Sequence, residues 1–131
     1  MTYFNAVVWI DHRSAHIHSF NWDENEKVLL RHEDAPHKLH RKASGTPGSQ
    51  HVHEDKTYLS AVANALQPFE EILIVGPGLA KAELKKYLDT KAPNVSDRVV
   101  GVEPMDHPSD GELLDFARRY FRRWLNYSSK E

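Results

Sequence analysis

The chain contains no cysteine. That absence excludes disulfides and thiolate metal sites and fits a reducing, cytoplasmic setting. No apolar run approaches the ~20 residues needed to cross a bilayer, so no membrane span is expected. The amino-terminal residues MTYFNAVVWIDHR lack a basic stretch followed by a long apolar one, so no signal peptide is expected. There is no internal repeat. Neither sign of charge dominates: the formal net charge is -2. Any contact with nucleic acid must therefore come from local basic patches rather than from the net field. What remains is ordinary for a globular protein, with 131 residues, 40% hydrophobic and 27% charged. Residues 1–131 are expected to form one domain, burying roughly two thirds of the unfolded surface.

Periodicity divides the chain into strands first and helices later. Asn5 to Ile10 (NAVVWI) is a β-branched and aromatic run, better suited to a buried strand than to a helix. Asp11-His12-Arg13-Ser14 reads as a tight turn. Ala15 and Ile17 alternate against His16 and His18, which predicts a second strand with one buried face. Lys27 to Glu33 is a third strand, and short connections favour an antiparallel meander. From Asp55 to Gln67 the spacing of Leu59, Val62, Ala63 and Leu66 predicts an amphipathic helix, stopped by Pro68. Glu71 to Val75 (EILIV) reads as a strand covered on both faces. Ala80, Leu84, Tyr87 and Leu88 mark a second helix. Lys91 to Ser96 reads as a loop and Arg98 to Val102 as the fifth strand. Ser109 and Glu112 form a capping box for a third helix, striped by Leu113, Phe116, Ala117, Tyr120, Phe121 and Trp124. The order β-β-β-α-β-α-β-α implies an α/β domain with right-handed crossovers in its second half. A mixed five-stranded sheet with helices packed on it follows, similar to the ribonuclease-H-like architecture.

Between the third strand and the first helix lies a different kind of sequence. His37 to Gln50 reads HKLHRKASGTPGSQ, with Lys38, Arg41 and Lys42 beside Ser44, Gly45, Thr46, Pro47, Gly48, Ser49 and Gln50. Basic residues among glycines predict a mobile cationic loop at about 34–55, of the kind that contacts phosphates.

This order of elements, with that loop in that place, resembles the middle domain of eukaryotic and archaeal peptide-chain release factors. It is also similar to the matching domain of Pelota-type ribosome-rescue factors and to small bacterial relatives described as translational machinery or host-attachment proteins. The segments that carry the resemblance are HRKASGTPGSQ, HEDKTYLSAVANAL, ILIVGPGLAKAELKKYL and VVGVEPMDHPSDGELLDFARRYF. Where the release-factor domain carries Gly-Gly-Gln, this chain has Gly48-Ser49-Gln50. The resemblance implies a ribosome-associated factor acting on peptidyl-tRNA. Gly48 would shape the tip, and Gln50 would assist water in hydrolysing the ester, chiefly through its backbone N–H. Lys38, Arg41 and Lys42 would contact tRNA or ribosomal RNA phosphates. Ser49 departs from the pattern. If that position requires a positive φ, serine costs on the order of 1 kcal/mol or more there. Pro47 stiffens the approach. The residues given hold no counterpart of the codon-reading domain, so decoding is expected to come from a protein partner, and a homo-oligomer is compatible with the pattern. The alternative is a non-catalytic RNA- or protein-binding module of the same fold.

Other constellations point to less. Arg118, Arg119, Arg122 and Arg123 form a basic strip on the last helix, a candidate RNA contact that would pair with the loop. His51-x-His53 with Glu54, and His16-x-His18, have metal-ligand spacing but no matched second pair, so no metal is expected. A two-metal nuclease would need carboxylates on the first strand, first helix and fourth strand. Asp11, Glu54 and Asp55 suit the first two places, but ILIVGPG offers none. Gly76-Pro77-Gly78 lacks the fuller phosphate-binding patterns and reads as a tight turn. No cofactor is expected.

Overall fold

In this computed structural model, residues 5–21, 24–32 and 47–129 are described, with side chains except over 47–55 and 124–129. The chain forms β1 (Asn5–Ile10), β2 (Ser14–Phe20), β3 (Asn25–Arg31), α1 (Pro47–Leu66), β4 (Glu71–Gly76), α2 (Ala80–Lys91), α3 (Pro93–Ser96), β5 (Val99–Pro104) and α4 (Asp110–Ser129). The five strands make one sheet in the order β3-β2-β1-β4-β5. β1 pairs antiparallel with β2, and β2 antiparallel with β3. β1 pairs parallel with β4, and β4 parallel with β5. The expected mixed α/β sheet is thus the observed one.

Alternation along the strands sends side chains to two separate cores. Val8, Ile10, Ala15, Ile17, Ile72 and Ile74 pack beneath Tyr58, Val62, Leu66, Leu84, Leu88 and Val95 of α1, α2 and α3. Val7, Trp9, Phe20, Leu73 and Val75 pack beneath Leu113, Leu114, Ala117 and Phe121 of α4. The sheet is therefore a middle layer, which is why β1 and β4 are apolar at nearly every position.

Three expectations need correction. β2 is covered on both faces: His18 is 1% exposed, because α4 lies over it. Residues 93–96 form the one-turn helix α3 rather than loop, with Pro93 in its first turn. A proline there gives up an N–H that would have no helical partner anyway. Helix α1 begins at Pro47, not Asp55, and so takes in the second part of the loop expected at about 34–55. Pro47 has the same first-position advantage, and the sequence GSQHVHE after it carries no periodic apolar stripe that would announce a helix. The capping box formed as read. Ser109 N–H donates to Glu112 Oε1 at 2.9 Å, and Glu112 N–H donates to Ser109 Oγ at 3.1 Å.

Candidate functional site

The connectivity gives the sheet two unlike ends. β1, β3, β4 and β5 all run one way, so their last residues share one end, and α1, α2 and α4 start there. In open α/β sheets this carboxyl end is where ligands bind.

Helix α1 reaches past that end. Tyr58 is level with the last residues of β1: its hydroxyl donates to the Asp11 carbonyl at 3.0 Å. The His32 ring stacks on Tyr58 with centroids 4.9 Å apart, and His32 Nδ1 lies 3.1 Å from the His12 carbonyl. Burial, and then the charge of Asp11, push the Tyr58 phenol well above its ordinary range, so it stays a hydrogen-bond donor. Asp11 is itself held in a turn, its Oδ1 accepting from the Arg13 and Ser14 N–H groups at 2.8 and 2.9 Å. At about 1.5 Å per residue, Gln50 stands roughly 12 Å beyond Tyr58 along the helix. Gly48, Ser49 and Gln50 occupy the first turn of α1. In a helix that begins at Pro47, the N–H groups of Gly48 and Ser49 come before the first intrahelical donor, which is Gln50, and they stand at the positive end of the dipole. Lys38, Arg41 and Lys42 lie outside the described residues.

The arginine strip is not brought to this place. Arg118 Nε donates to the Asn21 carbonyl at 3.0 Å and an Nη to the Glu24 carbonyl at 3.3 Å. Its guanidinium also lies 5.8 Å from the centre of the Phe20 ring. Phe20 pairs with Asn5, the first residue of β1, so these contacts mark the amino end of the sheet. Arg119 pairs with Asp115 at 2.7 Å, one helical turn away. Arg122 and Arg123 are exposed farther along the helix. Gly48–Gln50 and the strip thus occupy opposite ends and opposite faces of the domain.

A cleft that periodicity did not announce lies at the carboxyl end on the α4 face. Pairing across three strands aligns Trp9, His16 and Leu29 in one row, with Ser14 and Arg31 in a row nearer the carboxyl end. Helix α4 starts only at the next row down, where the Asp110 carboxylate is 2.9 Å from Lys27 Nζ and 3.5 Å from His18 Nε2. The upper rows are left as the floor of a cleft of about 110 Å³ walled by His107, Pro108, Asp110 and Leu113. A second hollow of about 170 Å³ adjoins it, lined by Arg13, Ser14, His16, Leu29 and Arg31. The Trp9 indole N–H donates to the Asp106 carbonyl at 2.8 Å, and the His107 ring lies 4.9 Å from the Trp9 ring. Burial, then Lys27, hold the His16 imidazole below its ordinary value, so it is neutral near pH 7. Among the described residues no group of three or more His, Asp or Glu side chains could hold a metal. No helix among them is long and apolar enough to cross a membrane.

No protein-family model matches the chain, and no curated protein matches it. Solved structures do. Archaeoglobus fulgidus Pelota aligns with a TM-score of 0.62 at 16% identity, over 88% of this chain and 30% of that one. The archaeal translation termination factor aRF1 aligns at 0.55 and 16% identity, over 81% of this chain and 31% of that one. Dom34 of S. cerevisiae aligns at 0.56 and 9% identity, over 86% of this chain and 31% of that one. Dom34 is a translation termination-like factor involved in RNA quality control pathways and interacting with Hbs1. The chain spans about a third of the length of these proteins. Its mixed five-stranded α/β fold is that of one domain of Pelota, aRF1 and Dom34.

Proposed function

We propose that this chain is a cytoplasmic, ribosome-associated factor of the termination or rescue type, and that it presents the amino end of α1 to peptidyl-tRNA. The observation that carries this reading is the position of Gly48-Ser49-Gln50. They sit in the first turn of a helix that projects past the carboxyl end of the sheet, in a fold shared with Pelota and aRF1. In the reaction, water attacks the carbonyl carbon of the ester between peptide and tRNA. The carbonyl oxygen gains negative charge, and in this reading the Gly48 and Ser49 N–H groups beside Gln50 donate to it. The ester C–O bond then breaks, the tRNA 3′-hydroxyl leaves with a proton, and the peptide acid is released. Ser49 is accommodated because helical backbone makes no demand for a positive φ. Lys38, Arg41 and Lys42 serve the same encounter by contacting RNA phosphates, which makes association steeply salt-dependent. Decoding is assigned to a protein partner.

The test is release of a labelled nascent peptide from stalled ribosomal complexes, comparing wild type with Gln50→Ala. Release that collapses in the variant supports hydrolysis. A second reading, a binding module without hydrolysis, is favoured by one feature: Gly48–Gln50 wind as regular helix rather than as an open glycine tip. Co-sedimentation with ribosomes and no release by either protein would select that reading. Neither release nor co-sedimentation would remove both.

A further inference from the structure

We propose that the outer edge of β3 pairs with β3 of a second copy of this chain, the two strands running antiparallel with Val28 opposite its own copy, so that both sheets become one. The inference is independent of the role given to Gln50. It begins with backbone direction. β3 stands at one edge of the sheet, and no described strand lies on its outer side. In its ladder with β2, the His32 N–H donates to the Arg13 carbonyl at 2.8 Å, and the Asn21 N–H to the Glu24 carbonyl at 3.0 Å. Both pairs keep the register that sets Val28 against Ile17. Antiparallel ladders alternate, so Glu26, Val28 and Leu30 turn their N–H and C=O groups to β2, while Lys27 and Leu29 turn theirs to the open edge.

Edge strands are usually defended by proline, a bulge or a free charge. β3 (NEKVLLR) has no proline, and its register with β2 is unbroken. Its central charge is tied down, with Lys27 Nζ 2.9 Å from the Asp110 carboxylate on α4. The residues that follow Lys27 are apolar. Val28 and Leu29 are 49% and 37% exposed, two of the three large apolar side chains so exposed among the described residues. Strand pairing shows what Val28 lacks. Ile74, Val8, Ile17 and Val28 form one row across four strands on the α1 face. The first three are no more than 2% exposed, and the row then runs out at the edge. A two-fold axis through the seam at Val28, perpendicular to the sheet, continues the row with the same residues of the second copy. β-branched side chains facing each other across strands stabilise a sheet. The same axis sets Lys27 opposite Leu29 of the other copy on both sides of Val28, so the outward N–H and C=O groups of each meet those of the other. The neighbouring register, with Leu29 opposite itself, would instead set two cations, Lys27 and Arg31, against each other at both ends of the seam.

The experiment follows the full chain by analytical ultracentrifugation over about 5–500 µM. A monomer–dimer equilibrium is expected for wild type, with the dissociation constant raised ~10-fold or more in Val28→Lys, which sets two cations face to face on the seam. Leu29→Pro removes an N–H that faces the open edge and leaves the ladder with β2 intact, and a similar loss of dimer is expected from it. Val28→Cys reports the register, because the chain has no other cysteine. Residues facing each other in a pair of this kind have Cα atoms about 4.5 Å apart, within reach of a disulfide. Mild oxidation is expected to link Val28→Cys into a dimer much faster than Leu79→Cys, an exposed position away from β3. This crosslink keeps the test decisive should Val28→Lys or Leu29→Pro melt early. Sedimentation as a monomer throughout leaves the edge to some other strand and overturns the proposal. A dimer untouched by both substitutions, or crosslinking no faster at position 28 than at position 79, also overturns it.

Discussion

The Tyr58 hydroxyl donates to the Asp11 carbonyl at 3.0 Å, joining the middle of α1 to the residue that follows β1. Beyond this bond α1 has left the sheet behind, so Tyr58 fixes the direction in which the helix projects. Replacing Tyr58 with Phe keeps the ring and removes the donor. The loss of one such bond is expected to cost about 0.5–1.5 kcal/mol in urea unfolding. Hydrogen exchange over 47–57 should quicken more than exchange in β4. Unchanged stability with unchanged exchange would show that the bond does not anchor the helix.

Gly76 closes β4 against the end of β1. A Cβ there would meet the Ile10 carbonyl oxygen at 2.2 Å, a backbone atom that cannot swing aside. Gly76→Ala is expected to destabilise the fold by about 1–3 kcal/mol, as overpacking does. Gly78, two residues on, has open space around the same position. Gly78→Ala should stay within about 0.5 kcal/mol of wild type. Equal effects in thermal melts of the two variants would refute this account of the turn.

His18 and His16 make stability depend on pH. His18 is 1% exposed, and burial holds its imidazole below the ordinary 6.5; Asp110 opposes that shift and Lys27 adds to it. Burial and Lys27 lower His16 as well, against the pull of Asp110 and Asp11. Below pH 6.5 the unfolded chain takes up protons at both residues before the folded chain does. Their contribution is therefore complete above 6.5 and is lost as pH falls through the lower folded values. The slope cannot exceed about 1.4 kcal/mol per pH unit for each proton taken up. Urea unfolding at pH 7.5 and 5.5 should show wild type weakening on acidification and His18→Leu weakening less. Equal acid sensitivity in the two proteins would remove His18 from the explanation.

Arg118 and Arg119 are neighbours in sequence but differ in role. Arg118 ties α4 to the β2–β3 turn through two carbonyls, whereas Arg119 meets only Asp115 on its own helix among the described contacts. Arg118→Ala is expected to lower stability by on the order of 1 kcal/mol, and Arg119→Ala by next to nothing. Thermal melts of the two variants check this. If the arginine strip meets RNA, Arg119→Glu should weaken that binding without lowering the melting temperature.

What the sequence made legible was whatever local pattern encodes. The apolar runs of β1 and β4, the stripe of Leu59, Val62, Ala63 and Leu66, and the pairing of Ser109 with Glu112 all appear within a few residues. The start of α1 at Pro47 left no such trace, because PGSQHVHE has no apolar residues at helical spacing. His18 looked solvent-facing because it alternates with Ile17; only the path of α4, fixed by distant residues, puts it inside. The row of Trp9, His16 and Leu29 arises from the register of three strands, which no spacing along the chain reveals. The separation of the arginine strip from Gly48–Gln50 likewise follows from which face each helix covers.

The central claim is that the amino end of α1, and not the arginine strip, meets the end of peptidyl-tRNA. A photo-crosslinking side chain placed at position 50, or in a second protein at position 119, would report it on ribosomes stalled with labelled peptidyl-tRNA. The expected result is a crosslink from position 50 to the 3′ end of the tRNA and none from position 119. A crosslink to that end from position 119, with none from position 50, would contradict the claim.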